Sequence, residues 1–442
     1  MRISLLVLSC LALGASNLAR ADAGLVNLYG IAQQRDPGFL AARAALDVGK
    51  EEKTIGRAAL LPQISANFGM MRFDYELRTT TAPRTKHDYT NKSGGLQISQ
   101  PLFEMERFAT YEEGKAKAAL AQAVFEEARQ DLLLRLTQAY FNYLYAEDLL
   151  QLADSQHAAA TEQLRAAERL VQAGAGSVTD IEESKARVAL AQAQQAAARS
   201  SIEVRRLELG KMVGQVPVLR PLAAEPQLTL PEPQQPEQWL DAAGKQSPAV
   251  LRARMALDVH SRQEERARAG HWPTVNFVAA LQKADEPNYY TVDDATLRWG
   301  VQMNIPIYEG GRTSALGRQA TARRAQALHE VDAAREDSRI KASQAYLGVV
   351  NGVAQVAAYE QAVKSAEITR QGMEVGQQAG FRTNTDVLNA QQQYFAARRD
   401  LQRERYTYLV SRLQLQSVSG GAGEKDLAAI DALLVPASAA GR

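Results

Sequence analysis

Residues 378–386 of this 442-residue chain read QAGFRTNTD, and the shorter pattern QAG at 172–174 followed by Thr179-Asp180 stands 206 positions earlier. A glycine between two long predicted helices is typical of a helix end that leads into a tight turn. The same glycine-containing pattern in two places predicts two helical turns, at Gly174 and Gly380. It also indicates that the chain contains a duplication.

The duplication extends in both directions from these turns. Matched pairs with shifts of 211, 205 and 206 residues are, in order, Asp36-Pro37 with Ser247-Pro248, Gln100-Pro101 with Ile305-Pro306, and Ala139-Tyr140 with Ala345-Tyr346. The fall from 211 to 205 places six extra residues between the prolines of the first half. We expect a variable loop there.

The sequence of each half predicts the same order of elements: a helix, a β-hairpin, a very long helix, a turn and a further helix. The expected helices are 23–61, 104–173 and 178–214 in the first half, and 237–271, 311–379 and 384–418 in the second. A helix of about 70 residues spans roughly 100 Å, far more than a globular core. The expected domains are a signal peptide 1–21, a first repeat 22–214 with hairpin 62–103, a linker 215–236, a second repeat 237–418 with hairpin 273–308, and a tail 419–442.

The strand segments alternate between apolar and polar side chains. The pattern is plainest from Ala295 to Ile307, and it recurs from Ile64 to Met70 with a phase slip before Phe73 that suggests a bulge. About ten alternating residues suit a tilted strand that crosses a membrane. Four strands cannot close a barrel, so the chain is expected to form an oligomer, and three copies would supply twelve strands.

The amino-terminal residues predict secretion. Arg2, the apolar run Ile3–Ala15 and the small-x-small pattern Ala19-Arg20-Ala21 indicate a signal peptide over residues 1–21; a lipoprotein box around Cys10 is the alternative. Cleavage removes two of the 51 basic residues, against 50 acidic ones, and leaves a formal net charge of −1. This balance argues against nucleic acid as a partner. No later segment approaches 18 consecutive apolar residues, so no transmembrane helix is expected.

The duplicated halves, the two hairpins and the turn Ala379–Ala390 resemble the TolC family of outer-membrane export ducts over nearly the whole mature chain. The resemblance implies a mixed α/β, mostly helical fold: a trimeric twelve-stranded transmembrane β-barrel continuous with a twelve-helix periplasmic α-barrel. It also implies an equatorial belt of irregular segments, built from the proline-rich linker and the tail. The implied location is the outer membrane of a Gram-negative cell, extending into the periplasm.

The resemblance also assigns residues at the periplasmic entrance. Arg382 is the residue expected to bond Thr179 and Asp180 on a neighbouring helix pair, and Asp386 is expected to form an acidic ring. Two positions depart from the family pattern, since Gln377 stands in place of a linking tyrosine and Asn389 in place of a second ring aspartate. A weaker latch and a lower cation affinity are the resulting hypotheses. Helix N-capping is an equally good reading of Asp180, and both roles can coexist.

No catalytic, cofactor or metal site is expected, because the five histidines lack metal-ligand spacing and the chain has no nucleophile elbow or phosphate loop. The predicted function is a passive conduit in a tripartite export machine, most consistent with type I protein secretion. The expected partners are two other copies of the chain, outer-membrane lipid, a periplasmic adaptor, and an inner-membrane ABC or proton-driven transporter. Multidrug or metal efflux is the alternative, followed by a periplasmic coiled-coil adaptor or an adhesin.

Overall fold

The computed structural model describes residues 24–79, 82–285 and 294–436, so the expected signal peptide lies outside the described residues. The described chain divides into two compact units. The first contains the residues up to Ala44, Val124–Leu251, and those from Ala333 onward; the second contains Ala45–Ala123 and Arg252–Asp332.

The order of elements repeats, as the duplication predicts. The elements are α1 (Leu25–Arg35), α2 (Pro37–Ala58), β1 (Gln63–Thr79), β2 (Ala82–Phe103), α3 (Met105–Gln172), α4 (Val178–Val213), α5 (Pro236–Gln246), α6 (Pro248–Ala269), β3 (Thr274–Asp285), β4 (Asp294–Asn304), α7 (Arg312–Gln378), α8 (Asn384–Gly420) and α9 (Glu424–Asp431). The first six, α1 to α4 with their hairpin, correspond one to one with α5 to α8 and theirs.

The first helix of each half is in fact two helices, which corrects the expected spans 23–61 and 237–271. The break falls at Asp36 before Pro37 and at Ser247 before Pro248, because a proline disfavours helical geometry in the residue before it and has no N–H to continue the ladder. Asp36 is buried, and its carboxylate accepts the Phe39 N–H at 2.8 Å, so it caps the helix that the proline begins.

The four strands form one antiparallel sheet in the order β1-β2-β3-β4. The two predicted hairpins are therefore joined by pairing of β2 with β3, as in Leu96 opposite Leu281. The bulge expected before Phe73 is wrong, since β1 and β2 keep one register from Gln63 to Leu77 and slip only between Leu77 and Thr79. The expected strand to residue 308 ends at Asn304, because Pro306 cannot donate to a ladder.

The two faces of the sheet differ in polarity. Residues paired directly across an antiparallel ladder share a face, and the pairs Phe277–Val301, Ala279–Trp299 and Leu281–Leu297 lie on one of them. Large side chains on this face are exposed in the single chain: Phe68 is 86% exposed and Trp299 74%. The pairs Asn276–Gln302 and Gln282–Thr296 lie on the opposite, polar face.

The core of the first unit lies where the linker and the tail meet the helices. The linker is held by tyrosine hydroxyls: Tyr140 donates to the Arg220 carbonyl at 2.8 Å, and buried Tyr408 donates to the Thr229 carbonyl at 2.7 Å. The tail, expected to be irregular, contains α9 and joins the linker through an antiparallel bridge between Leu222 and Leu434.

Within the described part of the chain, no helix combines the length and the apolar character needed to cross a membrane.

Candidate entrance gate

Each repeat has one turn between its last two helices, at Gly174 in the first repeat and at Gly380 in the second, and both turns lie in the first unit. Gly174 and Gly380 have φ angles of 75° and 79°, values that L-residues adopt only with strain. The Ala175 N–H donates to the Leu170 carbonyl and the Phe381 N–H to the Gly376 carbonyl, both at 2.9 Å. This pattern is the Schellman helix ending, and both predicted turns are confirmed as helix ends.

Each helix that follows a turn begins with a capping box. The Asp180 carboxylate accepts the Ser177 N–H at 3.1 Å, and the Ser177 hydroxyl accepts the Thr179 N–H at 3.1 Å. In the second repeat, Asp386 accepts both the N–H and the hydroxyl of Thr383 at 2.9 Å. Helix capping, the alternative role considered for Asp180, is therefore confirmed, and Asp386 caps α8 in the same way.

The capping contacts affect the charge of Asp386. The hydrogen bond from the Thr383 backbone lowers the pKa of this carboxyl below its usual value, and the Thr383 hydroxyl and the positive charge of Arg382 act in the same direction. Asp386 thus remains ionised over the whole physiological range.

Arg382 is exposed and lies against the backbone of its own turn. A Cβ added at Gly376 would lie 2.8 Å from the Arg382 Cγ, so the arginine stem packs across that glycine. Among the described residues, Arg382 forms no hydrogen bond or ion pair, with Thr179 and Asp180 or with any other side chain. Its predicted link to them stays a prediction for contacts between copies of the chain.

A buried polar cluster connects all four helices beside the turns. The Gln163 Nε2 lies 2.5 Å from the Asn384 Oδ1 and 3.0 Å from the Gln377 Oε1. The Asn384 Nδ2 donates to the Ser184 hydroxyl at 3.1 Å. Gln163, Ser184 and Asn384 are each at most 7% exposed. Together with Gln377 they form what we call the tip cluster, with one member on each of α3, α4, α7 and α8.

Gln163, Ser184 and Asn384 were not predicted from the sequence as functional residues. A signal was available, because Asn384 continues the buried stripe of Val387, Leu388 and Phe395 on α8 with a polar side chain. The corresponding position of the first repeat is Val178, which is 66% exposed. The tip cluster is thus not repeated symmetrically in the two halves. It includes the amide of Gln377, which stands where the family pattern has a linking tyrosine.

The exposed side of the α4–α8 contact is also polar. The Arg187 guanidinium donates to the Gln392 Oε1 at 2.8 Å and to the Asn389 Oδ1 at 3.4 Å. The Thr385 hydroxyl donates to a Glu183 carboxylate oxygen at 2.9 Å. Asn389, the second departure from the family pattern, therefore accepts a hydrogen bond from a cation. Among the described residues, no group of His, Cys, Asp and Glu could hold a metal ion.

A duplicated helix–hairpin–helix chain, with capped helical turns and a sheet that exposes one apolar face, has the plan of an outer-membrane channel protein. The chain belongs to the outer membrane efflux protein family, whose model matches residues 28–215 and 239–421. It is a mixed α/β, mostly helical channel protein of the Gram-negative outer membrane, built from two tandem repeats.

Two relatives are similar over almost the whole chain. The alkaline protease secretion protein AprF of Pseudomonas aeruginosa is 33% identical over 95% of this chain and 89% of its own length. The proteases secretion protein PrtF of Dickeya chrysanthemi is 32% identical over 95% of this chain and 93% of its own. Among solved structures, the outer membrane protein VceC of Vibrio cholerae has a TM-score of 0.76 at 19% identity, covering 90% of this chain and 96% of that one.

Proposed function

We propose that this protein is the outer-membrane channel of a type I protein secretion system, a passive conduit that carries cargo across the periplasm and the outer membrane. The observation that carries the proposal is the similarity to two protease secretion proteins over 95% of the chain. The conduit works with a periplasmic adaptor and an inner-membrane ABC transporter and has no enzymatic step of its own. A drug or metal efflux pump is the second candidate, favoured by the family's efflux members.

The active form in this proposal is a homotrimer. Within the described residues, β1 and β4 each pair on one side only, which leaves two open edges on a sheet with an exposed apolar face. Hydrocarbon does not tolerate unpaired backbone groups. Three copies would close a twelve-stranded barrel with the apolar face toward lipid and the polar face toward an aqueous lumen.

The entrance of the proposed conduit lies at the helical turns. Arg382 of one copy would bond Thr179 and Asp180 of the next, and three copies of Asp386 would form an acidic ring. Two observations support this assignment: the Arg382 guanidinium makes no hydrogen bond or ion pair among the described residues of its own chain, and Asp386 is ionised. Gln377 bonds inward to Gln163, which leaves fewer links between copies and hence a weaker latch.

Membrane fractionation and mass measurement in detergent test the assembly, and co-purification after cross-linking in cells tests the type of machine. We expect an outer-membrane trimer that captures an adaptor and an ABC transporter. Capture of a proton-driven pump in place of the ABC transporter would favour the efflux alternative. A monodisperse soluble monomer would refute the channel.

A further inference from the structure

Arg187 is a half-buried cation that two neutral amides hold in place. It lies on α4, and its guanidinium reaches across to α8, where it donates to Gln392 at 2.8 Å and to Asn389 at 3.4 Å. Two hydrogen bonds from one planar group to one neighbouring helix fix where the positive charge sits.

The carboxylates near Arg187 are engaged elsewhere. Glu183, one helical turn earlier, accepts the hydroxyl of Thr385 at 2.9 Å, and Glu182 pairs with Lys185 at 2.8 Å. Among the described residues, Arg187 forms no ion pair. No described acid of the same chain is therefore in direct contact with its guanidinium, and Glu183 keeps its own negative charge one turn away.

Arg187 shares a helix face with Asp386. Asn389 follows Asp386 by three residues, so the two side chains are neighbours on one face of α8. Because Arg187 donates to Asn389, it lies against the face that carries the Asp386 carboxylate. Wherever Asp386 places a negative charge, Arg187 places a positive charge within about two turns of helix.

We infer that Arg187 is a selectivity-determining residue of the entrance: its three copies offset the Asp386 ring and allow anions, including acidic polypeptide segments, to pass. The inference rests on the proposed function, which places Asp386 at the entrance of a trimeric conduit. A channel with the acidic ring alone would favour cations, whereas three arginines beside that ring offset its negative charge.

The size of the effect follows from Coulomb attraction in screened water. Three unit charges about 10 Å from a passing ion, in about 0.1 M salt, change the local concentration of that ion about twofold. Cation and anion respond in opposite directions, so their permeability ratio changes by about two- to fivefold. At 1 M salt the screening length falls to about 3 Å and the effect largely disappears.

The experiment measures reversal potentials of purified trimers in planar bilayers under a potassium chloride gradient. Arg187→Gln should raise the ratio of potassium to chloride permeability about two- to fivefold at 0.1 M salt, with little change at 1 M. Arg187→Lys should stay close to the parent. The matched control is Arg199→Gln, which removes the same charge from an exposed site twelve residues farther along α4 and about 120° around it.

Asp386→Asn separates the inference from the proposed function. If Asp386→Asn lowers the ratio but Arg187→Gln leaves it at the parent value, the inference is wrong and the proposed entrance stands. If neither substitution changes the ratio, the entrance does not lie at these turns and both proposals fail. An equal increase from Arg199→Gln would also overturn the inference, because the effect would then belong to total charge. Only trimers with parental yield and mobility on native gels enter the comparison.

Discussion

Asp386 caps α8 and also carries the charge of the proposed acidic ring, so its titration can be predicted from the cap. The hydrogen bonds from Thr383 favour the ionised form and lower the pKa. A lowered pKa means that the stabilisation is complete above the unfolded value of about 3.9 and is lost only as pH falls through the lower folded value.

Block of the channel by a trivalent cation from the periplasmic side should therefore persist as the pH is lowered to about 4, and weaken only below that. Bilayer conductance recorded at stepped pH measures this. Asp386→Asn, which can still cap the helix, should show little block at any pH. A midpoint clearly above 3.9 would contradict the lowered pKa.

Asn384 is the residue on which the tip cluster depends. Asn384→Ala would leave the buried Gln163 amide without one acceptor and the Ser184 hydroxyl without its donor, at a cost of about 1–3 kcal/mol. We expect a lower midpoint in thermal unfolding of the helical signal and a higher resting conductance, since four helices lose their common contact. Asn351→Ala, on the exposed surface of α7, should stay within about 0.5 kcal/mol of the parent. Equal destabilisation by the two variants would show that the tip cluster contributes no more to stability than an exposed asparagine does.

At the scale of elements, the sheet offers a test of which face meets lipid. Val301 and Gln302 are neighbours on β4, and they pair with Phe277 on the apolar face and Asn276 on the polar face, respectively. An arginine on the lipid side of a membrane barrel costs about 2–4 kcal/mol near the midplane, whereas a lumen position tolerates it. Val301→Arg should therefore lower trimer yield in the outer-membrane fraction, and Gln302→Arg should not. Equal yields, or a greater loss with Gln302→Arg, would reverse the assignment of the faces.

The elements themselves were largely predictable from local signals. Alternation located the strands, and the glycines at 174 and 380 located the turns, because each signal acts within a few residues. On α8, Val387, Leu401, Tyr408 and Leu415 lie at multiples of seven residues from one another, and all four are buried. Pairing of β2 with β3 was not predictable, because it joins residues nearly 200 positions apart that carry no local mark of each other.

The candidate site was predictable in part, for a related reason. Capping by Asp180 and Asp386 follows from spacing alone, whereas the tip cluster requires four helices to converge and cannot be read from one helix. The breaks at Pro37 and Pro248 were missed although their signal is local. The apolar periodicity on either side of each proline is continuous enough to suggest one helix, and the buried Asp36 cap shows that the chain instead begins a new one.

At the scale of the whole molecule, the single chain has features that only copies of it can complete. The sheet exposes its apolar face and two strand edges, and the Arg382 guanidinium makes no hydrogen bond or ion pair among the described residues. Each feature is costly or without effect in isolation, and the proposed threefold assembly would satisfy each of them. The proposed entrance latch would then be a property of the trimer, and its strength should depend on the number of intact copies.

Mixed trimers can measure that dependence. One partly exposed ion pair contributes at most about 1 kcal/mol, a factor of about five in an equilibrium constant, so three copies bias the closed state by about 150-fold. Co-expressing a tagged Arg382→Ser chain with the parent yields trimers that carry zero to three substitutions, separable by their number of tags. The ratio of open to closed dwell times in bilayers should rise up to fivefold with each substitution, at unchanged trimer yield.

Asp180→Asn is the matched change on the other side of the link, chosen over alanine because an asparagine preserves the cap of α4. Combined with Arg382→Ser it should add little, since both substitutions remove one interaction. If trimers with three Arg382→Ser chains conduct like the parent, Arg382 is not part of the latch. Closure would then depend on contacts within each chain, such as the tip cluster around Asn384.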